Sequence, residues 1–325
     1  MNKEFLQLVG LEFYNKSDFY SKAIQLRDGR QAILWIHRPT GHGLLDKEFW
    51  PKEIYENYYQ EKYRQQHSIQ SNGTHVSSEK HYNIYREVSN KQYQFIKTYL
   101  TSRTKYLEIG PSFGGILSRV VDTVAECHVV EPNVDDVEYI TKKHPSVKTF
   151  CSKLEDTKLD NDYYDVIVSI EVLEHMISVK QFLKSCFNTL KENGNLILEV
   201  PNHNDVLLSC YKTSAYKSFY YHDSHIHYFT DKSLINICKH LGFIGEVESF
   251  QIYPFFNHVN WCLNDEPQTS GEVAMSTPIP TDDLTLEKKS INNFYKNVEK
   301  EYDKLINRFR LGGELIFRGI KNGKF

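Results

Sequence analysis

The sequence predicts an α/β protein whose core is a mostly parallel sheet covered by helices on both faces. Three observations carry this expectation. From Lys105 onward, short apolar runs (Tyr106–Ile109, Cys127–Val130, Val147–Cys151, Val166–Ile170 and Leu196–Val200) alternate with segments of helical spacing (Ile116–Thr123, Asp135–Lys143 and Val179–Lys191). Nearly unbroken apolar runs separated by helices belong to strands buried on both faces, as in a parallel sheet. A glycine turn, Gly110 to Gly115, follows the first run and leads into a helix, where exposed backbone N–H groups can meet a ligand. Finally, 325 residues with 40% hydrophobic and 25% charged side chains suffice for one substantial core with additions.

Residues 1–104 read as an N-terminal hairpin and helical cap. Asp28-Gly29 lies between two apolar-rich runs from Ala23 to His37, a hairpin signal. Pro51 is suited to open a helix through Arg64, Ser68 to Ser78 is a polar loop, and Glu79 to Leu100 has helical spacing. Residues 105–253 form the core, interrupted at 202–230 by a His- and Tyr-rich insertion. A helix over Asp231–Leu241 and a strand over Phe243–Tyr253 follow. Residues 254–325 comprise a loop, an amphipathic helix from Leu284 to Phe309 and a final strand from Glu314 to Ile320. The expected apolar face of that helix holds Ile291, Phe294, Val298, Tyr302, Leu305 and Phe309.

Charge and cysteine usage narrow the function classes. The net charge is −3 and no block of Lys and Arg stands out, which argues against a nucleic-acid partner. No apolar run is long enough to span a bilayer, and the first residues lack the apolar segment of a secretion signal. Six dispersed cysteines without a paired motif fit reduced core thiols, so the expectation is a cytoplasmic protein with no metal centre. Nothing in the sequence speaks to oligomeric state.

The sharpest motif is Glu108-Ile109-Gly110-Pro111-Ser112-Phe113-Gly114, a strand ending in an acidic residue before a glycine turn. With it the chain resembles the class I S-adenosylmethionine-dependent methyltransferases. Their second mark, an acidic residue ending the next strand, is matched by Glu131-Pro132. Cys151 to Asp156, with Leu154 and Glu155, resembles their adenine-holding segment. Ser169-Ile170-Glu171-Val172-Leu173-Glu174-His175 is similar to their fourth-strand motif, and Leu190 to Leu196 to the turn before strand five. The ordered matches span Lys105 to Pro201, and order is more specific than any one of them. The resemblance implies a Rossmann-like sheet of seven strands with an antiparallel last strand and S-adenosyl-L-methionine as cofactor. By the same resemblance Glu108, Gly110 and Gly114 sit near its methionine end and Glu131, with Pro132 beside it, takes the ribose. Leu154 and Glu155 line the adenine, and Glu171 faces the cofactor.

Tyr220-Tyr221-His222-Asp223-Ser224-His225-Ile226-His227-Tyr228-Phe229 follows strand five, at the sheet edge where open α/β folds bind ligands. Its histidines admit three readings: metal ligation, packing beneath a lid, or general-base chemistry. The last is taken here, because a hydroxyl acceptor is a weak nucleophile and an imidazole near neutrality can accept its proton. The segment is similar to that of nucleotide-sugar C-methyltransferases, whose base matches His225; His222, His227 and His175 stand behind it as candidates. Ser224 replaces the glutamate of that pattern, and no cysteine precedes Cys127 to build the zinc module those enzymes carry. Methyl transfer to oxygen or nitrogen of a small, sugar-like acceptor, nucleotide-linked or otherwise activated, is therefore expected over transfer to carbon, with the N-terminal region, the insertion and the long helix closing over the acceptor. The alternatives are N- or C-methylation of another small metabolite, and a cofactor-binding protein without acceptor chemistry.

Overall fold

The computed structural model describes residues 1–51, 77–211, 213–276 and 285–322. The helix expected from Pro51 to Arg64 and most of the loop over 68–78 lie outside them. The hairpin expected around Asp28-Gly29 is formed by β1 (Phe19–Gln25) and β2 (Gln31–His37), in register from Phe19↔His37 to Gln25↔Gln31. Gly29 supplies the positive φ (+89°) of the turn. A short β3 (Gly43–Leu45) extends this antiparallel sheet. The cap helix separates at Tyr85 into Ser78–Ile84 and Arg86–Ile96.

The expected alternation follows. Strands β4 (Lys105–Ile109), β5 (Glu126–Val130), β6 (Lys148–Phe150), β7 (Tyr164–Ile170) and β8 (Leu190–Pro201) pair in parallel, with helices Leu117–Val120, Val134–Lys143 and Val179–Thr189 among their connections. The turn expected before strand five is absorbed into β8. Tyr164 pairs with Leu190 and Val166 with Asn195, so residues 191–194 bulge outward, with Asn193 at φ +59°. Next in the chain is β9 (His227–Tyr228), then β10 (Phe243–Phe250) and β11 (Glu314–Lys321). The large sheet runs β10-β11-β8-β7-β4-β5-β6, and β11 is antiparallel to both neighbours. The seven strands and the antiparallel last strand are as expected.

Side chains alternate strictly about this sheet. Leu107, Ile167, Leu198 and Phe317 face one apolar cluster, while Tyr106, Val168, Ile197 and Ile316 face another. The first cluster also contains Phe5, Leu6, Leu34 and Trp50, so the N-terminal segment shares a continuous core with the helices Val179–Thr189 and Asp231–His240. The insertion is tied to that segment too: β9 pairs with β3 through Gly43↔Tyr228 and Leu44↔His227, completing a four-stranded sheet.

Two expectations about the C-terminal third are corrected. The stretch after Tyr253 contains a helix, Phe255–Asn264, where a loop was expected, and the later loop region carries a short helix, Gly271–Met275. The long helix spans Leu286–Arg308, yet the stripe assigned to its buried face is largely in solvent: Phe294 is 62% exposed, Leu305 54% and, just beyond the helix end, Phe309 59%. The helix docks through one member of that stripe, Tyr302, whose hydroxyl bonds Nδ1 of His258 at 2.6 Å, and through Ile306 outside it, packed with Trp261. Among the described residues, no helix is long and apolar enough to cross a membrane.

Candidate active site

A cavity of about 1140 Å³ opens at the carboxyl ends of β4, β5 and β7, the edge where the fold directs ligands. Gly110 (φ +67°) turns the chain out of β4, and its N–H donates to the carbonyl of Val130 at 2.8 Å. A Cβ on Gly110 would lie 2.5 Å from Cγ2 of Val172, so only glycine lets the segment after β7 close on this turn. Gly114 is likewise left-handed (φ +69°). Glu131 joins the two adjacent loops: Oε2 accepts from Ser112 N–H at 3.0 Å and Oε1 from Asn133 N–H at 2.8 Å. Its carboxylate is thus held rigidly at the cavity wall. Pro132, Leu154 and Glu155 line the same end.

Glu108 is 3% exposed and accepts the Tyr106 hydroxyl at 3.0 Å. Burial, with Glu131 adding repulsion, pushes its carboxyl up to about 8 from an ordinary 4.5. The sign of the linkage follows. The folded state holds a proton that the unfolded chain releases, so this group's stabilisation is full below pH 4.5 and is lost as pH rises through about 8. Glu108→Gln should remove that loss, making stability fall less steeply across this window by up to about 1.4 kcal/mol per pH unit. Urea denaturation of both proteins at several pH values measures it, and identical slopes would contradict the assignment.

Beyond β7 the acidic character deepens. Glu171 lies in the left-handed region (φ +55°), an unusual backbone for a side chain of its size and one that functional sites tolerate. Its carboxylate meets those of Glu199 on β8 and Glu314 on β11, the three offering oxygens within 4.8 Å of one another. Gln92 Nε2 donates to Glu199 at 2.7 Å. Burial raises all three, Glu171 to about 7 and the others well above their ordinary range, with mutual repulsion adding for Glu199 and Glu314. Glu199 and Glu314 were missed in the sequence. A charged residue inside the apolar run Leu196–Val200 was the available signal, because strands buried on both faces rarely carry one.

The histidine candidates separate. His175 lines the cavity; His222, His225 and His227 do not. His225 is buried behind it, the two rings 4.6 Å apart, and both present Nε2 to Oε1 of Glu174, at 3.7 Å for His175 and 3.9 Å for His225. His222 packs on the far side of His225, 3.6 Å between ring centres, with Nδ1 2.7 Å from Ser224 Oγ. His227 lies away from the site. Its ring nitrogens meet Ile177 O (3.3 Å) and His42 Nε2 (3.2 Å), and burial pushes it down to about 4, so it serves the packing of β9.

The cavity's cover also differs from expectation. Neither the 202–230 insertion nor the Leu286–Arg308 helix contributes a lining residue; the cover comes from the Lys3–Leu8 helix, through Glu4, Gln7 and Leu8, and from His81, Tyr85 and Gln92 of the cap helices. Among the described lining residues Lys153 is the only lysine or arginine, against eight carboxylates. Among the described residues two groups could hold a cation: Glu174 with His175 and His225, and Glu171 with Glu199 and Glu314.

The chain is similar to known proteins over its core. The chain is 26% identical over 104 residues to the ubiquinone biosynthesis O-methyltransferase of Bradyrhizobium diazoefficiens, covering 31% of this chain and 41% of that protein. It is 29% identical over 111 residues to the mitochondrial ubiquinone biosynthesis O-methyltransferase of Bos taurus, covering 31% and 30%. The chain thus spans less than half the length of these curated relatives. Among solved structures, a SAM-dependent methyltransferase from Archaeoglobus fulgidus aligns with a TM-score of 0.47 at 16% identity, over 73% of this chain and 94% of that one. The methyltransferase domain model matches residues 62–245, more than half of the sequence. The chain belongs to the methyltransferase domain family, and the cofactor of that domain is S-adenosylmethionine.

Proposed function

We propose that the protein transfers the methyl group of S-adenosylmethionine to a hydroxyl of a small, sugar-like acceptor that carries no phosphate. In this reading Glu131 accepts the ribose hydroxyls, Leu154 and Glu155 flank the adenine, and Glu108, Gly110 and Gly114 border the methionine end. Glu171 lies between cofactor and acceptor. The methyl carbon moves from sulfur to the acceptor oxygen, sulfur keeps the bonding pair, and the hydroxyl proton is given up at the Glu174–His175–His225 group. His175 replaces His225 as the member facing the cavity.

One observation supports this reading most: a single cavity runs from Glu131 to His175 and Gln181. Its volume exceeds that of a pocket for one small ligand, about 300–1000 Å³, leaving room for cofactor and acceptor together. The scarcity of basic lining residues is why the nucleotide-linked sugar of the sequence reading is set aside. Leaving aside Glu108, Glu171 and Glu314, which burial pushes toward the neutral form, the remaining acidic lining residues still outnumber Lys153, at the adenine end, and disfavour a diphosphate.

The test is release of S-adenosylhomocysteine with a panel of neutral sugars and polyols set against their nucleotide-linked counterparts. Turnover is expected with phosphate-free acceptors alone. Preferential methylation of nucleotide sugars would contradict the charge argument, and absence of turnover with any hydroxyl acceptor would contradict the acceptor class.

A further inference from the structure

Glu174 poses a question that methyl transfer by itself does not answer. It is 1% exposed, and neither carboxylate oxygen has a hydrogen-bond partner. An ionised carboxylate taken out of water costs several kcal/mol unless something charged compensates it. The neighbouring carboxylates make this worse, since Glu171 and Glu199 both act on Glu174 with the same sign. What Glu174 does face is a pair of imidazole nitrogens: Nε2 of His175 and Nε2 of His225, contributed by segments fifty residues apart.

The orientation of His175 is also defined. Its Nδ1 lies 2.8 Å from the carbonyl oxygen of Ser224. A carbonyl can only accept, so Nδ1 carries the hydrogen, and in the neutral ring Nε2 keeps its lone pair directed at Glu174. A backbone carbonyl fixing the outer nitrogen so that the inner one can ligate is the usual support of a metal-binding histidine.

We propose that Glu174, His175 and His225 bind a divalent first-row transition ion. Two imidazoles and one carboxylate suit manganese, iron, cobalt or zinc better than magnesium, which prefers an all-oxygen shell. The three ligand atoms lie within 4.8 Å of one another, and bonds of about 2.0–2.2 Å would draw the separations in by about 2 Å at most. His175 also lines the cavity, so the ion's remaining positions open toward the acceptor; with both imidazoles ligated, the ion takes over their part by making the hydroxyl more acidic, and the proton leaves to solvent water. That role rests on the proposed reaction; the site itself does not. The expectation of no metal rested on unpaired cysteines and the lack of a completed His and carboxylate set in the sequence; His225 joins Glu174-His175 only in the fold.

The test uses the full chain without a histidine tag, stripped with dipicolinate and titrated calorimetrically with Mn²⁺, Co²⁺ and Zn²⁺. One ion per chain is expected, with Co²⁺ giving a visible d–d absorption band. Glu174→Gln and His225→Ala should each weaken binding about 100-fold or more. Glu174→Gln, which preserves shape, should keep its melting temperature yet lose the metal-induced rise seen in the wild type. Failure of the wild type to bind any of the three ions stoichiometrically overturns the site, as does unchanged affinity in both variants. S-adenosylhomocysteine is titrated in parallel: if it does not bind, the methyl-transfer reading falls while the metal result stands on its own.

Discussion

Glu131→Ala is expected to lower the affinity for S-adenosylhomocysteine by about 10- to 100-fold. Hydrogen bonds to a charged acceptor are worth about 1.5–3 kcal/mol each, and entering water recovers part of that loss. The carboxylate does more than await a ribose. It receives the N–H of Ser112 from the glycine turn and the N–H of Asn133 from the start of the next helix, so its removal also loosens the walls of the cofactor end. Glu131→Gln keeps one oxygen acceptor and should lose less. Calorimetric titration of the three proteins gives the order wild type, Gln, Ala. Equal affinities would mean that the ribose lies elsewhere.

The second large effect concerns turnover. His175→Ala should lower kcat by about 10²–10⁴, the usual worth of a group that manages the acceptor's proton. His225→Ala should lower kcat as well, while leaving cofactor affinity nearly intact, because His225 does not line the cavity. His227→Ala should act differently, reducing stability with little change in kcat per folded molecule, since its ring joins His42 to the carbonyl of Ile177. Steady-state kinetics alongside thermal melts separate the three. Loss of turnover in His227→Ala without loss of stability would put the chemistry in the wrong place.

Much of this molecule is legible in the sequence, for identifiable reasons. Strands buried on both faces leave continuous apolar runs, so β4, β5, β7 and β8 were readable from Tyr106, Val129, Val168 and Leu198 alone. The glycine turn was readable because its left-handed angles and the approach of Val172 demand glycine at position 110. What stayed hidden depends on contacts between distant segments. Pairing of β9 with β3 needs only two residues on one strand, too few for periodicity to reveal, yet it decides which way His225 and His227 face. The helix Leu286–Arg308 misled because its 3.6-residue periodicity is real, while its docking relies on Tyr302 and Ile306. Periodicity identifies an apolar stripe and says nothing about whether a partner covers it. Glu171, just past the end of β7, and Glu199 on β8 are joined by Glu314 only when the antiparallel β11 inserts between β10 and β8.

In the proposed binding mode the cavity holds S-adenosylmethionine with its ribose at Glu131 and its sulfur directed toward Glu171 and His175. A crystal structure of the protein with S-adenosylhomocysteine tests this directly. Both ribose hydroxyls are expected at the Glu131 carboxylate, the adenine beside Leu154 and Glu155, and the thioether sulfur facing open space bounded by Glu171, His175 and the Lys3–Leu8 helix. A ligand bound outside this cavity, or lying in it with the ribose away from Glu131, would contradict it.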